Sequence, residues 1–152
     1  MTEESEKLLD DVGWRLLRLL QEDARLSYKE LGRRVGLAPS SVAERIHRME
    51  EAEILLGYHA QINLEKIGLP VMAFIRMNTA GQNSTRIALL LHDMPEILEC
   101  YRLTGSEAFI MKVCVSSVKQ LEMLIYQLSQ YGQPTTSLVL SVPLTRRILE
   151  RR

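Results

Sequence analysis

Hydrophobic residues in the N-terminal third of the chain recur at intervals of three or four, which is the period of an amphipathic helix. This pattern predicts a first helix over roughly 9–22, a second helix that ends near Gly36 and a third helix over roughly 39–52. The residues that form the three buried faces are Leu9, Val12, Leu16, Leu17 and Leu20, then Leu31 and Val35, then Val42, Ile46 and Met49. A small helical domain is therefore expected at this end.

Polar and special residues mark the ends of the second and third helices. Ser27 and Glu30 form a capping box, in which the hydroxyl accepts from an early backbone N–H and the carboxylate reaches back. Gly36 ends the second helix, and Pro39 suits the first position of the third. The stretch 28–47, YKELGRRVGLAPSSVAERIH, therefore predicts a helix-turn-helix, which places its second helix in the DNA major groove.

The remainder of the chain alternates between strand and helix patterns. Strands are predicted over Val71–Asn78, Ile97–Leu103 and Phe109–Val115, and a last strand carries Leu138, Leu140, Val142 and Leu144 on one face. Helices are predicted over Ser84–His92 and Val118–Gln130. The order β-α-β-β-α-β is that of a ferredoxin-like sandwich. The fold class is α+β: an N-terminal helix-turn-helix (winged-helix-like) domain joined to a C-terminal ferredoxin-like domain.

A β-prone run and a linker connect the two halves. The run Ile54–Ile62 predicts a strand that leads out of the helical domain, and glycine and proline in NLEKIGLP mark the linker. The expected limits are 1–60 for the helix-turn-helix domain, 61–70 for the linker and 71–152 for the ferredoxin-like domain.

Both faces of the predicted sheet carry apolar residues. Phe74, Ile110 and Cys114 alternate along their strands with residues such as Ile75 and Val113. Two helices cover only one face of such a sheet, and an exposed apolar face is rarely tolerated. We infer that a second copy covers it and gives a symmetric dimer. The alternative is a monomer whose own N-terminal helices fold back over the sheet.

Charge is balanced over the 152 residues but unevenly distributed. From Arg25 to Arg48 there are six basic residues, and only Glu30 and Glu44 oppose them. A local basic face can bind phosphate although the whole molecule is neutral. The alternative is an ordinary solvated helix face.

The third helix presents the candidate DNA contacts. Small hydroxyl groups near its start permit close approach to DNA, and arginines further along can fork onto guanine or a phosphate. Glu44 can accept from cytosine or orient a neighbouring arginine. The residues expected to face the groove are Ser40, Ser41, Glu44, Arg45 and Arg48, and those expected at the DNA backbone are Lys29, Arg33 and Arg34. The alternative is a structural helical hairpin that binds no DNA.

Other classes of protein lack their usual signals. No run approaches the about 20 apolar residues of a membrane helix, and the acidic start differs from a secretory signal, so we expect a cytoplasmic protein. Cys100 and Cys114 are expected to be reduced, and the three histidines show no metal-ligand spacing. No phosphate-binding loop, nucleophile elbow or carboxylate pair appears. We therefore expect neither a cofactor nor an enzyme.

Three stretches resemble the Lrp/AsnC (feast/famine) family of transcription regulators: LLQEDARLSYKELGRRVGLAPSSVAERI, ILLGYHAQINLEKIGLP and YRLTGSEAFIMKV. They are similar to the family's helix-turn-helix, its connecting strand with the linker, and a turn in its ligand-responsive domain. The resemblance implies sequence-specific binding to double-stranded promoter DNA at the nucleoid. It also implies a homodimer that assembles into tetramers or octamers, and a small-molecule effector such as an amino acid. The implied effector residues are Leu103, Thr104, Gly105, Ser106, Glu107 and Ala108.

The chain departs from the family pattern at three places. Gly13 replaces the usual aspartate of the first helix, so a poorly capped start is expected. Ala38 replaces a capping serine, a loss on the order of 1 kcal/mol. In the effector turn the usual acidic residue after the glycine is missing, and only Glu107 remains, in a shifted position.

Two other functions are compatible with this architecture. One is an architectural protein that compacts DNA with little sequence preference. The other is an enzyme, because the sirohaem decarboxylases resemble the same two-domain arrangement. Those enzymes carry an arginine pair followed by isoleucine and glycine in the connecting strand. This chain has Leu55, Leu56, Gly57 and Tyr58 there, which argues against the enzyme.

Overall fold

A computed structural model describes residues 3–79, 86–87 and 89–151. The chain divides into two compact units, Met1–Ala60 with Leu144–Arg152, and Gln61–Pro143. This division places the C-terminal residues with the helical unit, whereas the limits drawn from sequence place them in the second domain. As domain limits, 1–60, 61–70 and 71–152 stay a prediction.

The helical unit begins with two helices: the second corresponds to the helix predicted over roughly 9–22, and the first precedes it, where the sequence predicts none. They are α1, Glu3–Leu8, and α2, Asp11–Glu22. Asp10 interrupts the helix in an extended conformation, and its carboxylate accepts from the backbone N–H of Gly13 at 2.8 Å. The expectation that this helix starts without a good cap is therefore wrong. Asp10 caps α2, although it lies three residues before Gly13, where the family has its aspartate.

Gly13 has a packing role instead. A Cβ at this position would lie 1.9 Å from the carbonyl oxygen of Leu8 and 3.1 Å from Cε of Met49. The missing side chain lets the end of α1 lie directly against the first turn of α2. Leu8 and Met49 are buried there.

The helix-turn-helix follows as predicted. Helix α3 is Tyr28–Val35 and helix α4 is Pro39–Glu51. The core that joins these helices to α2 consists of Leu16, Leu20, Leu31, Val35, Val42 and Ile46.

The strand predicted for 54–62 is not formed. Residues 55–63 have no regular secondary structure, and Leu56 and Ile62 are exposed. A strand needs a hydrogen-bonded neighbour, and each described strand of the sheet pairs only with the others. High β-propensity was therefore not sufficient here.

The second unit contains the predicted four-stranded antiparallel sheet. Its strands are β1, Val71–Asn78, β2, Ile97–Arg102, β3, Phe109–Val115, and β4, Gln133–Leu138, with helix α5, Val118–Ser129, before β4. The spatial order β2-β3-β1-β4 is that of a ferredoxin-like sandwich. Of the helix predicted over 84–92, residues 84, 85 and 88 lie outside the described residues, and the described residues 86–87 and 89–90 are helical.

The last strand is shorter at its C-terminal end than predicted. Strand β4 ends at Leu138, which lies opposite Ala73, and the N–H of Val139 still donates to the carbonyl of Met72 at 2.9 Å. Because β1 begins at Val71, it offers almost no backbone beyond this point. Leu140 is consequently 96% exposed.

The two faces of the sheet differ. One face carries Ile75, Met111 and Val113, which pack with Leu121 and Leu124 of α5 into a buried hydrophobic core. The opposite face is more polar than the sequence suggests. There Lys112 forms an ion pair with Glu99 at 2.8 Å, beside the half-exposed Phe74 and Tyr101.

Candidate nucleic-acid interface and effector site

Local signals position helices α3 and α4. The hydroxyl of Ser27 accepts from the N–H of Glu30 at 3.2 Å, so the predicted N-cap of α3 is confirmed. Gly36 ends α3 in the left-handed conformation, with φ of 79°, that glycine adopts at least cost. Ala38 precedes α4 without a side-chain cap, as the sequence predicts, and Pro39 occupies its first turn. The first N–H groups of α4 consequently donate to no capping side chain.

One face of α4 is open to a partner. Val42, Ile46 and Met49 are buried on the other side. The exposed face is made of Ser40, Ser41, Glu44, His47 and Arg48. Four of these residues were predicted to face DNA.

His47 was missed by the sequence analysis. Its side chain is 70% exposed, and its Nε2 atom lies 3.3 Å from the carboxylate of Glu51. The helical period alone could have identified it, because His47 lies three residues after Glu44 and therefore on the same helical face. We add it to the candidate groove residues.

Arg45 lies beside this face and not on it. Its guanidinium donates to both carboxylate oxygens of Asp10, at 2.6 and 2.7 Å, and its side chain is only 26% exposed. The same pairing holds the pKa of the Asp10 carboxyl below its usual value. Arg45 therefore joins α4 to the N-terminal end of α2 in this structure, a contact between residues too far apart in sequence for periodicity to reveal.

The basic residues of α3 are organised around one carboxylate. Glu30 accepts from Arg33 at 2.7 and 2.9 Å and from Arg34 at 2.7 Å. These two guanidinium groups lower the pKa of Glu30 to about 2, so it stays ionised while ordinary carboxyls protonate. Lys29 is exposed on the same short helix. The positive charge of α3 is thus partly neutralised before any phosphate approaches.

The turn between β2 and β3 forms the second candidate site. It is held at its base, where the N–H of Leu103 donates to the carbonyl of Ala108 at 2.8 Å and the N–H of Ala108 donates to Met77 at 2.9 Å. Thr104, Gly105 and Ser106 are exposed at its tip.

A cavity of about 230 Å³ lies beside this turn. Its walls are Ser106 and Glu107 from the turn together with Arg76, Asn78, Gln133 and Thr135 from the sheet. Oε1 of Glu107 lies 3.7 Å from Nε of Arg76, so a carboxylate and a guanidinium face each other across the cavity wall. The four sheet residues were missed by the sequence analysis. Only the pairing of β1 with β4, which sets Arg76 opposite Thr135 and Asn78 opposite Gln133, brings them together.

Other kinds of site have no support in the described part of the chain. Within residues 3–79, 86–87 and 89–151, no three His, Cys, Asp or Glu side chains are grouped so as to hold a metal ion. None of the helices described there has the length and apolar character needed to cross a membrane. Cys100 and Cys114 are free thiols.

Comparisons with known proteins match both units. Residues 9–50 match the model of the AsnC-type helix-turn-helix domain, and residues 72–149 match the model of the Lrp/AsnC ligand binding domain. The chain is 31% identical to the HTH-type transcriptional regulator LrpC of Bacillus subtilis, over 88% of this chain and 92% of that protein. It is 33% identical to the regulator LrpA of Mycobacterium tuberculosis, over 79% and 81% of the two chains.

Solved structures agree with these matches. The structure of Bacillus subtilis LrpC superposes with a TM-score of 0.86 at 30% identity, covering 91% of this chain and 99% of that one. A transcriptional regulator from Neisseria meningitidis, solved as a complex with L-Met, superposes with a TM-score of 0.84 at 30% identity, covering 93% and 96%.

Proposed function

This chain belongs to the Lrp/AsnC family of DNA-binding transcriptional regulators, and we propose that it recognises specific promoter sequences through the exposed face of α4. The observation that carries this proposal is the composition of that face. Hydroxyls at Ser40 and Ser41 are followed by Glu44, His47 and Arg48, which together supply donors and acceptors for base edges in the major groove. The uncapped N-terminus of α4 offers backbone N–H groups to a phosphate.

The neighbouring basic residues have supporting roles in this proposal. Lys29, Arg33 and Arg34 contact the DNA backbone, where they set orientation without reading sequence. Arg45 acts as a positioning residue, since its bidentate pair with Asp10 holds the orientation of α4.

We infer that two copies form a symmetric dimer through the outer face of the sheet. Phe74 and Tyr101 are 36% and 54% exposed on that face, and burial against a second copy removes them from water. The dimer presents two α4 helices to half-sites about one helical turn of DNA apart, or a multiple of it. Dimers then assemble into tetramers or octamers, around which DNA wraps.

The proposed effector site is the cavity beside the turn 103–108, and an amino acid fits its chemistry. The guanidinium of Arg76 suits the ligand's carboxylate, and Glu107 suits its ammonium group. The Neisseria meningitidis relative, whose structure is an L-Met complex, supports this ligand class. In this proposal Glu107 replaces the acidic residue that the family has directly after the glycine of this turn.

We expect Glu107→Gln to weaken the binding of L-Met, used as the probe, by about tenfold or more, because a charge-assisted hydrogen bond contributes about 1.5–3 kcal/mol. Isothermal titration calorimetry measures the change. Glu122→Gln, at an exposed position of α5, is the matched control and leaves the affinity unchanged. Equal binding by the Glu107 variant and the parent protein would exclude this carboxylate as a ligand group.

Genome-wide mapping of bound DNA in cells tests the function as a whole. We expect a shared sequence motif under the bound sites, and binding to that motif at least about a thousandfold tighter than to unrelated DNA. Sites scattered without any motif would instead favour the architectural, DNA-compacting alternative. We further infer that the protein acts in the cytoplasm at the nucleoid and is not an enzyme, since its relatives are transcriptional regulators.

A further inference from the structure

The C-terminal residues are held by a half-buried side chain of α2. The side-chain amide of Gln21 donates to the carbonyl of Leu149 at 3.1 Å, and its oxygen accepts from the N–H of Leu149 at 2.9 Å. These two hydrogen bonds satisfy both the N–H and the C=O of one residue, as a neighbouring strand does in a sheet. An arrangement of that kind specifies the position of Leu149 more strictly than a single surface contact.

Two ion pairs extend this contact toward the N-terminal end of α2. Arg18 lies 3.2 Å from the carboxylate of Glu150, and Arg151 pairs with Asp11 at the first turn of α2. At the other end, Arg146 lines a small cavity together with Leu20 and Ala24. Residues 144–151, the C-terminal strap, therefore run antiparallel to α2.

The strap contacts the helix that holds the helix-turn-helix together. At its N-terminal end, α2 is joined to α4 through Asp10 and Arg45, and further along Arg15 donates to the carbonyl of Arg34 in α3. The strap itself follows closely after β4, and β4 contributes Gln133 and Thr135 to the candidate effector cavity. The chain thus passes between its two units twice, once between Ala60 and Gln61 and once between Pro143 and Leu144, where the strap begins.

We propose that the C-terminal strap is a second tether that restricts the orientation of the DNA-binding unit, with Gln21 as its principal positioning residue. This inference rests on the proposed function. A flexible chain loses more conformational freedom when two recognition helices must engage one DNA molecule simultaneously. Restricting each unit beforehand lowers that cost. The strap therefore favours an operator with two half-sites and has no effect on the binding of one half-site.

The test compares parent and Gln21→Ala proteins on two DNA duplexes, one with both half-sites of a mapped operator and one with a single half-site. We expect the variant to lose about three- to tenfold in affinity for the full operator and nothing for the single half-site. A second pair of variants tests the ion pair. The pair chosen is Arg151 with Asp11, because Arg18 also pairs with Glu22 on its own helix at 2.9 Å. Arg151→Asp alone weakens full-operator binding, and adding Asp11→Arg restores it by reversing both charges. Gln127→Ala on α5 is the matched control and changes neither affinity.

Three results overturn the proposal: unchanged affinity of Gln21→Ala for the full operator, an equal loss on both duplexes, or failure of the charge reversal to restore binding. An equal loss means that the strap only supports the fold of the helical unit. A second measurement, made without DNA, tests whether Gln21 holds the strap. Amide exchange of Leu149 in the unbound full-length protein is faster in Gln21→Ala if the contact exists. If the parent protein binds no operator but its Leu149 amide exchanges more slowly than that of Gln21→Ala, the proposed function fails while the contact itself stands.

Discussion

We expect Gly13→Ala to destabilise the helical unit by about 1–3 kcal/mol, although alanine is the better helix former. Intrinsic propensity alone predicts a gain of about 1 kcal/mol for this change inside α2. The sign reverses because the new Cβ would lie 1.9 Å from the carbonyl oxygen of Leu8. That oxygen belongs to the backbone at the end of α1, so it moves only if α1 separates from α2. Cε of Met49, at 3.1 Å, also has to shift.

Urea unfolding followed by tryptophan fluorescence measures this effect in the helical unit alone. Trp14 is the single tryptophan of the chain and lies on α2, so its signal reports on that unit. Gly36→Ala is the control, because a Cβ there meets nothing within 4 Å and only the left-handed conformation opposes it, at about 1 kcal/mol. A Gly13→Ala protein more stable than its parent would mean that α1 does not pack against α2 as described.

The second large effect is expected for Arg48→Ala. We expect a loss of about 1–3 kcal/mol in binding to the preferred operator, and a smaller loss on operators altered at the base that Arg48 reads. Arg48 lies on the exposed face of α4, in its last turn. Fluorescence anisotropy with a panel of singly altered operators measures this dependence on sequence.

Two further variants complete that experiment. Lys119→Ala removes the same charge from α5 in the second unit and leaves sequence preference unchanged. Arg45→Ala, which breaks the pair with Asp10, lowers affinity by the same factor on every operator because it acts through the orientation of α4. If Arg48→Ala instead weakens binding uniformly and reduces the dependence on salt, Arg48 contacts a phosphate and reads no base.

Several features of the site were predictable because their causes are local. The cap at Ser27, the end of α3 at Gly36 and the missing cap at Ala38 each depend on residues within one helical turn, and the structure confirms all three. The exposed face of α4 follows from a simple period, although His47 was overlooked. The strand order of the second unit followed from the succession of elements, since few topologies accommodate β-α-β-β-α-β.

Features that depend on a distant partner were missed or misjudged. The run 54–62 has the composition of a strand but no neighbour to pair with, and the last strand stops where β1 begins. Arg45 belongs by period to the outward side of α4, yet Asp10 draws its guanidinium toward α2. Gly13 looked like a weakness in a helix and is a requirement for close packing.

The helix-turn-helix, the ferredoxin-like succession and the family could all be inferred from the residues alone, because capping, periodicity and motif spacing act over a few neighbouring positions. Which side chains meet depends on the folded chain: Asp10 with Arg45, Arg76 with Glu107 beside the cavity, and Gln21 with Leu149. Each of these contacts joins residues far apart in the chain. Their geometry depends on helix packing and strand register, which no local pattern of residues encodes.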